Sequence, residues 1–481
     1  MKTQALYEQF ADELAAQIAA GTFPEGSRLP SLREAAAGRG LSLSTAIQAY
    51  RLLEDRGLAE ARPQSGYYVK RRHKAQKMEL EPEETSIDPM GVTLDEVSMG
   101  LYRGKLDPDV APFGAASPDP ELLPSEKLDR IVAAIAREGG FARDTSFSPE
   151  GIEELRQGIA QRAFAAGCPI SPDEVVITAG CSEAMSLCLL AVCRSGDLVA
   201  IESPAYFGLL LILEAMGLRA LEIPALPGTG LALDALEFAL DNHPVKAVVA
   251  MTNFSNPLGS LMPDASKQRL ARLTGRRGIP LVENDIYGEL YFGDKRPIVA
   301  KSFDTDNILL CSSFSKDISP GYRLGWVAAG RRAQDLVRLK MALTSGTSAL
   351  PQLAIARYLE SGGYDAHLRS IRRAYCRRVE AMAEAIEKAF PIGTKIAEPE
   401  GGYLIWVRLP GGVDSMELYA EAARARIAIA PGSIFSPSRK HRDYIRLNAS
   451  VWSQRTEKDL VRLGKIVETL AMRDAPSLSR K

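Results

Sequence analysis

A lysine among small hydroxyl residues is the group in this sequence best suited to covalent chemistry. Lys316 follows the apolar run 308–310 and a cluster of serines, and Arg323 and two glycines come shortly after it. A lysine partly removed from water at the end of a buried strand has a lowered pKa and can attack an aldehyde. The hydroxyls and the guanidinium suit an anionic group such as a phosphate.

Two other interpretations of this stretch exist. The lysine could simply be solvated at the end of a strand, which these residues alone do not exclude. Residues 313–316 also form an S-x-x-K string, as in penicillin-binding proteins. That interpretation requires S-D-N and K-T-G companions, and the sequence contains neither.

The composition is that of an ordinary globular protein. The 481 residues, 46% hydrophobic and 25% charged, are enough for two or three domains. The net charge of -1 indicates neither a nucleic acid nor a membrane partner by itself. Six cysteines and four histidines lack metal-ligand spacing, so we expect reduced cysteines and no metal. Without an apolar signal sequence or a membrane-spanning run, the sequence predicts a cytoplasmic protein.

The N-terminal residues predict a winged helix-turn-helix. Apolar residues at a four-residue step over 6–18 predict an amphipathic helix. A second short helix is capped by Ser31 and broken by Gly38 and Gly40, and Ser42 or Ser44 caps a third. That third helix has the length to cross a major groove. Residues 58–69 then alternate as a hairpin.

Charge separates this unit from the segment that follows it. Residues 1–74 hold 11 lysines and arginines against 8 acids, a net charge of +3, and several of the basic residues cluster at 70–74, where they could meet phosphates. Residues 75–96 hold seven acids and one lysine without apolar periodicity. We therefore predict a DNA-binding domain over 1–74, an acidic linker over 75–96, and a further domain over 97–481.

Short apolar runs alternate with helical patterns through the remaining chain. Five runs read as buried strands, at 175–178, 198–201, 247–251, 279–282 and 308–310. This alternation is typical of an α/β fold with a largely parallel sheet covered by helices. Beyond about residue 352 helices dominate before strands at 403–409 and 444–448, which predicts a small α+β lobe.

Polar residues follow these predicted strands, where ligands bind in sheets of this kind. The turn at 178–184 leads into a helix, so the N–H groups of Cys181 and Ser182 could bind an anion. Tyr206 follows the next strand and could lay its ring on a flat ligand. Asn256 lies in a turn whose amides could bond a phenolic oxygen.

Asp285 and Tyr287 follow the strand at 279–282. At their two-residue step they point the same way if the strand continues. A buried aspartate needs a cationic partner, which a pyridinium nitrogen would supply. Each of these residues alone is compatible with an ordinary turn, but their order, each after a strand, favours one shared site.

With these residues, the chain from about 110 to 470 resembles the fold-type-I pyridoxal-phosphate (PLP) aminotransferases. The resemblance implies a large PLP-binding domain with a small C-terminal lobe. It implies that Lys316 forms the Schiff base and that Asp285 pairs with the pyridine nitrogen. The other implied roles are 3-oxygen contacts from Tyr287 and Asn256, stacking by Tyr206, phosphate binding by Cys181, Ser182, Ser313 and Arg323, and binding of a substrate carboxylate by Arg446.

The N-terminal domain is similar to the GntR winged helix through segments 28–35, 49–58 and 65–69. Joined in this order, the two domains resemble the MocR-type transcriptional regulators over nearly the whole chain. Leu43 stands at the start of the recognition helix, where that family often has a basic or polar residue. The residues that the resemblance places against DNA are Arg33, Ser44, Thr45, Gln64, Ser65 and Gly66.

The sequence therefore predicts a PLP-dependent transcriptional regulator that binds double-stranded operator DNA and senses an amino acid or amine. We expect a homodimer, because aminotransferase-like sites are usually completed at a subunit interface. The alternative is a working aminotransferase, converting an amino acid to a 2-oxo acid, with an accessory DNA-binding domain. A third hypothesis treats residues 1–70 as a protein-interaction module.

Overall fold

The computed structural model describes residues 5–24, 26–55, 58–62, 65–69, 89–92, 97, 107–139 and 148–474. It divides into two compact units, Met1–Lys74 and Ala75–Lys481. The predicted basic cluster at 70–74 and most of the predicted acidic linker lie outside the described residues.

Three helices and a hairpin form the N-terminal unit around their own core. The elements are α1 (Leu6–Ala19), α2 (Leu32–Arg39), α3 (Leu43–Asp55), β1 (Ala59–Arg62) and β2 (Gly66–Val69). The two strands pair antiparallel. One buried cluster joins α1, α3 and the hairpin, and it includes Phe10, Leu14, Tyr50, Leu53 and Val69. The winged helix-turn-helix is therefore stabilised by its own apolar contacts.

Polar groups fix the ends of α2 and α3. Ser31 Oγ accepts from the Glu34 N–H, and the Glu34 carboxylate accepts from the Ser31 N–H at 2.8 Å, a reciprocal capping box. Gly40 ends α2 at a φ of 64°, in the region that favours glycine. Ser42 rather than Ser44 caps α3, because the Ser42 hydroxyl accepts from the Thr45 N–H at 3.1 Å.

In the described residues, the larger unit is built on a nine-stranded sheet. Its strands are β3 (Met90–Gly91), β5 (Val175–Thr178), β6 (Leu198–Ser203), β7 (Arg219–Leu226), β8 (Gly230–Leu231), β9 (Val245–Ala250), β10 (Leu281–Asn284), β11 (Ile308–Ser313) and β12 (Gly325–Ala328). The centre of the sheet is parallel, with β6 paired to β7 and β9, and β10 paired to β9 and β11. Beyond β11, the strands β12 and β5 extend the sheet through antiparallel pairs.

Helices cover this sheet, as the alternating pattern predicted. They are α4 (Ser125–Glu138), α5 (Glu153–Ala165), α6 (Cys181–Val192), α7 (Phe207–Ala215), α8 (Leu233–Asn242), α9 (Asp264–Arg276), α10 (Ala333–Leu343) and α11 (Ala349–Glu360). All five predicted strands are confirmed within a few residues. The strands β7 and β12 were not among those predicted. Strand β7 carries a buried glutamate and a proline, Glu222 and Pro224, which interrupt its apolar run.

A second, four-stranded sheet forms the small lobe, in the order β13-β14-β17-β16. Its elements are β13 (Lys395–Ala397), β14 (Leu404–Arg408), β15 (Ile427–Ala428), β16 (Ala430–Pro431), β17 (Tyr444–Asn448), α12 (Gly363–Ala389), α13 (Ser415–Arg424) and α14 (Gln454–Asp474). A short strand β4 (Ala111–Pro112) pairs parallel with β15, and Phe113 packs in the lobe's core. The lobe therefore also takes in residues far upstream of its predicted start.

Part of the predicted linker lies at the edge of the large sheet. Strand β3 pairs antiparallel with β7 through Arg219 and Ala220, and Val92 beside it is buried. An apolar contact of this kind stabilises a short edge strand. Among the described helices, none combines the length and hydrophobicity of a bilayer-spanning segment.

We predict that Ser31→Ala loosens α2, because it removes the hydroxyl that accepts from Glu34 N. Loss of such a cap costs about 1 kcal/mol, so hydrogen–deuterium exchange over 32–39 should become about fivefold faster. The matched control is Thr22→Ala, whose hydroxyl bonds the exposed Gln17 side chain at 2.8 Å. Equal exchange in wild type and Ser31→Ala would contradict the capping role.

Candidate cofactor site and DNA-binding surface

The carboxyl ends of the central strands meet at a cavity of about 290 Å³. Residues that follow β5, β6, β9, β10 and β11 all reach it, because parallel strands end at the same edge of a sheet. The polar residues that line it include Cys181, Ser182, Tyr206, Asn256, Asn284, Tyr287, Ser313, Lys316 and Arg323. Among the residues that the structure describes, no aspartate or glutamate lines this cavity.

Lys316 extends into this cavity from the turn after β11. Its Nζ donates to Ala116 O at 2.5 Å and lies 5.8 Å from the centre of the Tyr287 ring. Tyr403 donates to the same carbonyl at 3.3 Å. The amine is therefore held at a defined position beside an aromatic ring.

One end of the cavity is built for an anion. Gly180 precedes α6 at a φ of 91°, and a Cβ there would lie 2.7 Å from Arg323 Nη2. A Cβ at Gly325 would lie 2.5 Å from the Gly180 backbone. Both positions must be glycine for the guanidinium and β12 to approach the helix N-terminus. Helix N–H groups, Ser182, Ser313 and a guanidinium together suit a phosphate.

The thiol at this helix end is neutral. Burial raises the pKa of Cys181 well above its ordinary value, and Lys316 offsets only part of that rise. The thiol donates to Asn284 Oδ1 at 3.4 Å. The anion-binding end therefore contains hydrogen-bond donors and a positive charge, and the residues present fit the phosphate of PLP.

Arg446 lies in β17 and is fully buried. Its Nη1 donates to Asn256 Oδ1 at 3.1 Å, and its Nη2 donates to Gly114 O. Its guanidinium carbon is 5.1 Å from the centre of the Phe435 ring. Asn256 and Gly114 both line the cavity, so a carboxylate entering there could replace them as acceptors for the guanidinium.

Asp285 is not brought into this cavity. Its carboxylate accepts from Arg296 at 2.5 Å and from Asn253 Nδ2 at 2.8 Å, and it lines a second, smaller cavity. The expected alternation fails because β10 ends at Asn284 and the chain turns over 286–289. Asp285 and Tyr287 therefore do not point the same way.

A part-buried ion cluster holds the buried Asp285 where it is. Arg296 also donates to Glu289 Oε1 at 3.1 Å. Burial lowers the pKa of Arg296, but the attraction of Asp285 and Glu289 outweighs burial and keeps it above its ordinary value. Arg162 and Arg372 reach Glu289 at 3.3 and 3.2 Å. Sequence patterns did not identify Arg296 or Asn284, although Asn284 follows a predicted strand as directly as Asp285 does.

The expected DNA contacts lie on α2, α3 and the wing. Arg33 and Ser44 are exposed, and Thr45 is half-buried. Ser65 Oγ lies 2.7 Å from Tyr68 Oη, while Gln64 falls outside the described residues. Gly66 has a φ of 105°.

One exposed cation near the wing was not among the predicted DNA contacts. The exposed Arg28 lies beside Gly66, where a Cβ would stand 3.4 Å from its Nε. The sequence signal that could have identified Arg28 was its position two residues before the Pro30–Ser31 turn. Leu43 at the start of α3 is 46% exposed, so an apolar side chain stands at the leading end of the recognition helix.

Comparisons with known families match the two structural units to two different families. Residues 6–69 match the family of bacterial regulatory proteins of the gntR type. Residues 119–462 match the family of class I and II aminotransferases.

Similar proteins combine the same parts. The chain is 41% identical to the HTH-type transcriptional regulator YdcR of Escherichia coli (strain K12) over 464 residues, 96% of this chain and 99% of that protein. It is 36% identical to the regulator YjiR of the same organism over 463 residues, 96% and 98% of the two chains.

A similar solved structure is the α-aminoadipate aminotransferase LysN of Thermus thermophilus, complexed with N-(5'-phosphopyridoxyl)-L-leucine. The two structures superpose with a TM-score of 0.73 and are 29% identical in sequence, and the match covers 79% of this chain and 96% of that one. With a matching gntR-type domain and a matching aminotransferase domain, this chain belongs to the class I and II aminotransferase family and, within it, to the HTH-type transcriptional regulators of MocR type.

Proposed function

We propose that this protein is a PLP-dependent transcriptional regulator whose aminotransferase-like domain senses an amino acid. The observation that carries the proposal is the cavity around Lys316, which joins a positioned amine to an anion-binding helix N-terminus. The same chain carries a gntR-type domain, and this combination supports the proposal that the bound ligand affects binding to DNA. We also propose a homodimer, in which two winged helices contact two half-sites.

The cavity residues suit the aldehyde, the phosphate, the ring face and the ring oxygen of PLP. The Lys316 amine would bond its aldehyde carbon, and Ser182, Ser313 and Arg323 would bind its phosphate. Tyr206 would lie on the ring, and Tyr287 and Asn256 would contact the ring oxygen. When bound, PLP withdraws electrons from the carbon next to an amine attached to it.

Arg446 would select a ligand that carries a carboxylate. A bidentate contact between guanidinium and carboxylate is strong and directional. The guanidinium donates to Asn256 and to Gly114 O, and a ligand carboxylate would replace these acceptors. Exchange of these partners would act on residues 114–117 and on β17, and movements of this kind commonly close a site around its ligand.

The alternative is an active aminotransferase with an accessory DNA-binding domain. The retained pair of Arg446 and Asn256 favours it, as does the likeness to an aminotransferase structure. Both functions require PLP at Lys316. They differ in whether a bound amino acid changes the affinity for DNA or is converted to product.

We predict that the purified protein absorbs visible light through PLP bonded to Lys316, and that Lys316→Ala abolishes this absorbance. The alanine variant has no amine to bond the aldehyde. The control is Lys295→Ala, at an exposed lysine of the same unit, which should absorb like wild type. A colourless wild-type protein that takes up no added PLP would refute the cofactor assignment.

We predict that Arg33→Ala weakens binding to double-stranded DNA selected from a random pool. If Arg33 contacts a phosphate, the slope of log affinity against log salt should fall by about 1. Arg39→Ala is the matched control, because Arg39 on the same helix pairs with Glu13 at 2.9 Å. Equal losses in both variants would place the DNA surface elsewhere.

We predict that an amino acid which alters the PLP spectrum also changes the affinity for that DNA, and that Arg446→Ala blunts this effect. Coupling between two sites is typically about 1–3 kcal/mol, or roughly 5- to 150-fold in affinity. The decarboxylated amine of the same amino acid is the ligand control and should act weakly. Unchanged DNA affinity with every spectrally active amino acid would favour the enzyme instead.

A further inference from the structure

Two neighbouring residues at the end of β10 face different cavities. Asn284 lines the cavity that holds Lys316, whereas Asp285 lines the smaller cavity with Arg296. The resemblance to aminotransferases implied Asp285 as the partner of the pyridine nitrogen. The geometry instead places an amide on that wall of the cavity.

Asp285 is fixed in its own surroundings. Its side chain is 1% exposed and both carboxylate oxygens are bonded, one to Arg296 and one to Asn253. A Cβ at Gly288 would collide with this carboxylate, so the turn packs directly against it. Turning Asp285 into the other cavity would leave the part-buried guanidinium of Arg296 without its shortest partner, which is costly.

Asn284 presents a donor to the Lys316 cavity. Its Oδ1 accepts from the Ile286 N–H at 3.3 Å and from the Cys181 thiol at 3.4 Å. These contacts fix the orientation of the amide. The remaining polar atom of the side chain is Nδ2, which can only donate. Within the described part of the chain, no acceptor contacts this Nδ2.

The charges around this cavity do not favour another positive group. The ionisable side chains that line it are Cys181, Tyr206, Tyr287, Lys316 and Arg323. Behind its walls, Arg446 contacts Asn256, and the Asp285 charge is balanced by Arg296. A protonated pyridine nitrogen would therefore direct its N–H at the donor of Asn284, whereas an unprotonated nitrogen would accept from it.

We propose that Asn284, and not Asp285, faces the pyridine nitrogen of PLP and keeps that nitrogen unprotonated. This inference depends on the proposed function, since it assumes that the cavity binds PLP. An unprotonated ring withdraws electrons less strongly than the pyridinium that an aspartate partner maintains. The site would then hold an amino acid with little conversion, as a sensor requires.

The test is nitrogen NMR on the full chain loaded with PLP that carries ¹⁵N in its ring. We expect the wild-type ring nitrogen to resonate at the unprotonated position throughout the pH range in which the protein is folded. Asn284→Asp should shift the resonance to the protonated position, because a carboxylate stabilises the pyridinium. Asp285→Asn, the matched control at the next residue, should leave the resonance where it is in wild type.

The wild-type spectrum is decisive even if a variant does not fold. A protonated ring nitrogen in wild type, or one that responds to Asp285→Asn and not to Asn284→Asp, would overturn the inference while leaving PLP binding intact. A wild-type protein that binds no labelled PLP would overturn the proposed function as well. A faster half-reaction of Asn284→Asp with an amino acid, measured by absorbance in one turnover, would support the inference further.

Discussion

The backbone carbonyls of residues 114–117 must find donors, and both lobes supply them. Ala116 O accepts from Lys316, while Gly114 O accepts from Arg446. Asn448 Nδ2 donates to Ala115 O at 2.7 Å and to Ser117 O at 2.8 Å. Because buried carbonyls are costly to leave unpaired, this segment sets the position of β17 relative to the lysine. A ligand that takes Arg446 away from Gly114 therefore acts on the whole segment.

A second constraint is the distribution of charge at the ends of the strands. The acids nearby are neutralised or paired outside the cavity: burial raises the pKa of Glu202 to about 8, although Met251 N–H donates to it. Burial and the charge of Asp285 also raise the pKa of Glu283. Among the described residues that line the cavity, the charged side chains are Lys316 and Arg323. Its negative charge must come with a ligand, as it does in a phosphorylated cofactor and an amino acid.

Each of the two units has a hydrophobic core of its own. The N-terminal unit has its own buried cluster around Tyr50, whose hydroxyl donates to Pro30 O at 2.7 Å. The exposed polar residues of this unit therefore take their positions from its own core.

Most secondary-structure elements near the site, and Lys316 itself, could be predicted from local sequence patterns. Apolar runs long enough to fill buried strands identified β5, β6, β9, β10 and β11, and turn residues identified the winged helix. Lys316 was identified because it joins Tyr206, Asn256 and Tyr287 in a series of polar residues that each follow an apolar run, although its own stretch also fits a solvated lysine. These features are local, so nearby residues decide them.

Which side chain faces the Lys316 cavity could not be predicted in this way, because it depends on long-range contacts. Whether Asn284 or Asp285 reaches the cavity depends on where β10 stops and on the attraction of Arg296, a residue eleven positions later. The contacts of Arg446 with Asn256 and Gly114 join residues 190 and 332 positions apart. Pairing of β4 with β15 likewise carries residues 111–113 into the small lobe. No local pattern encodes such contacts, because packing and ion pairing between distant segments select them.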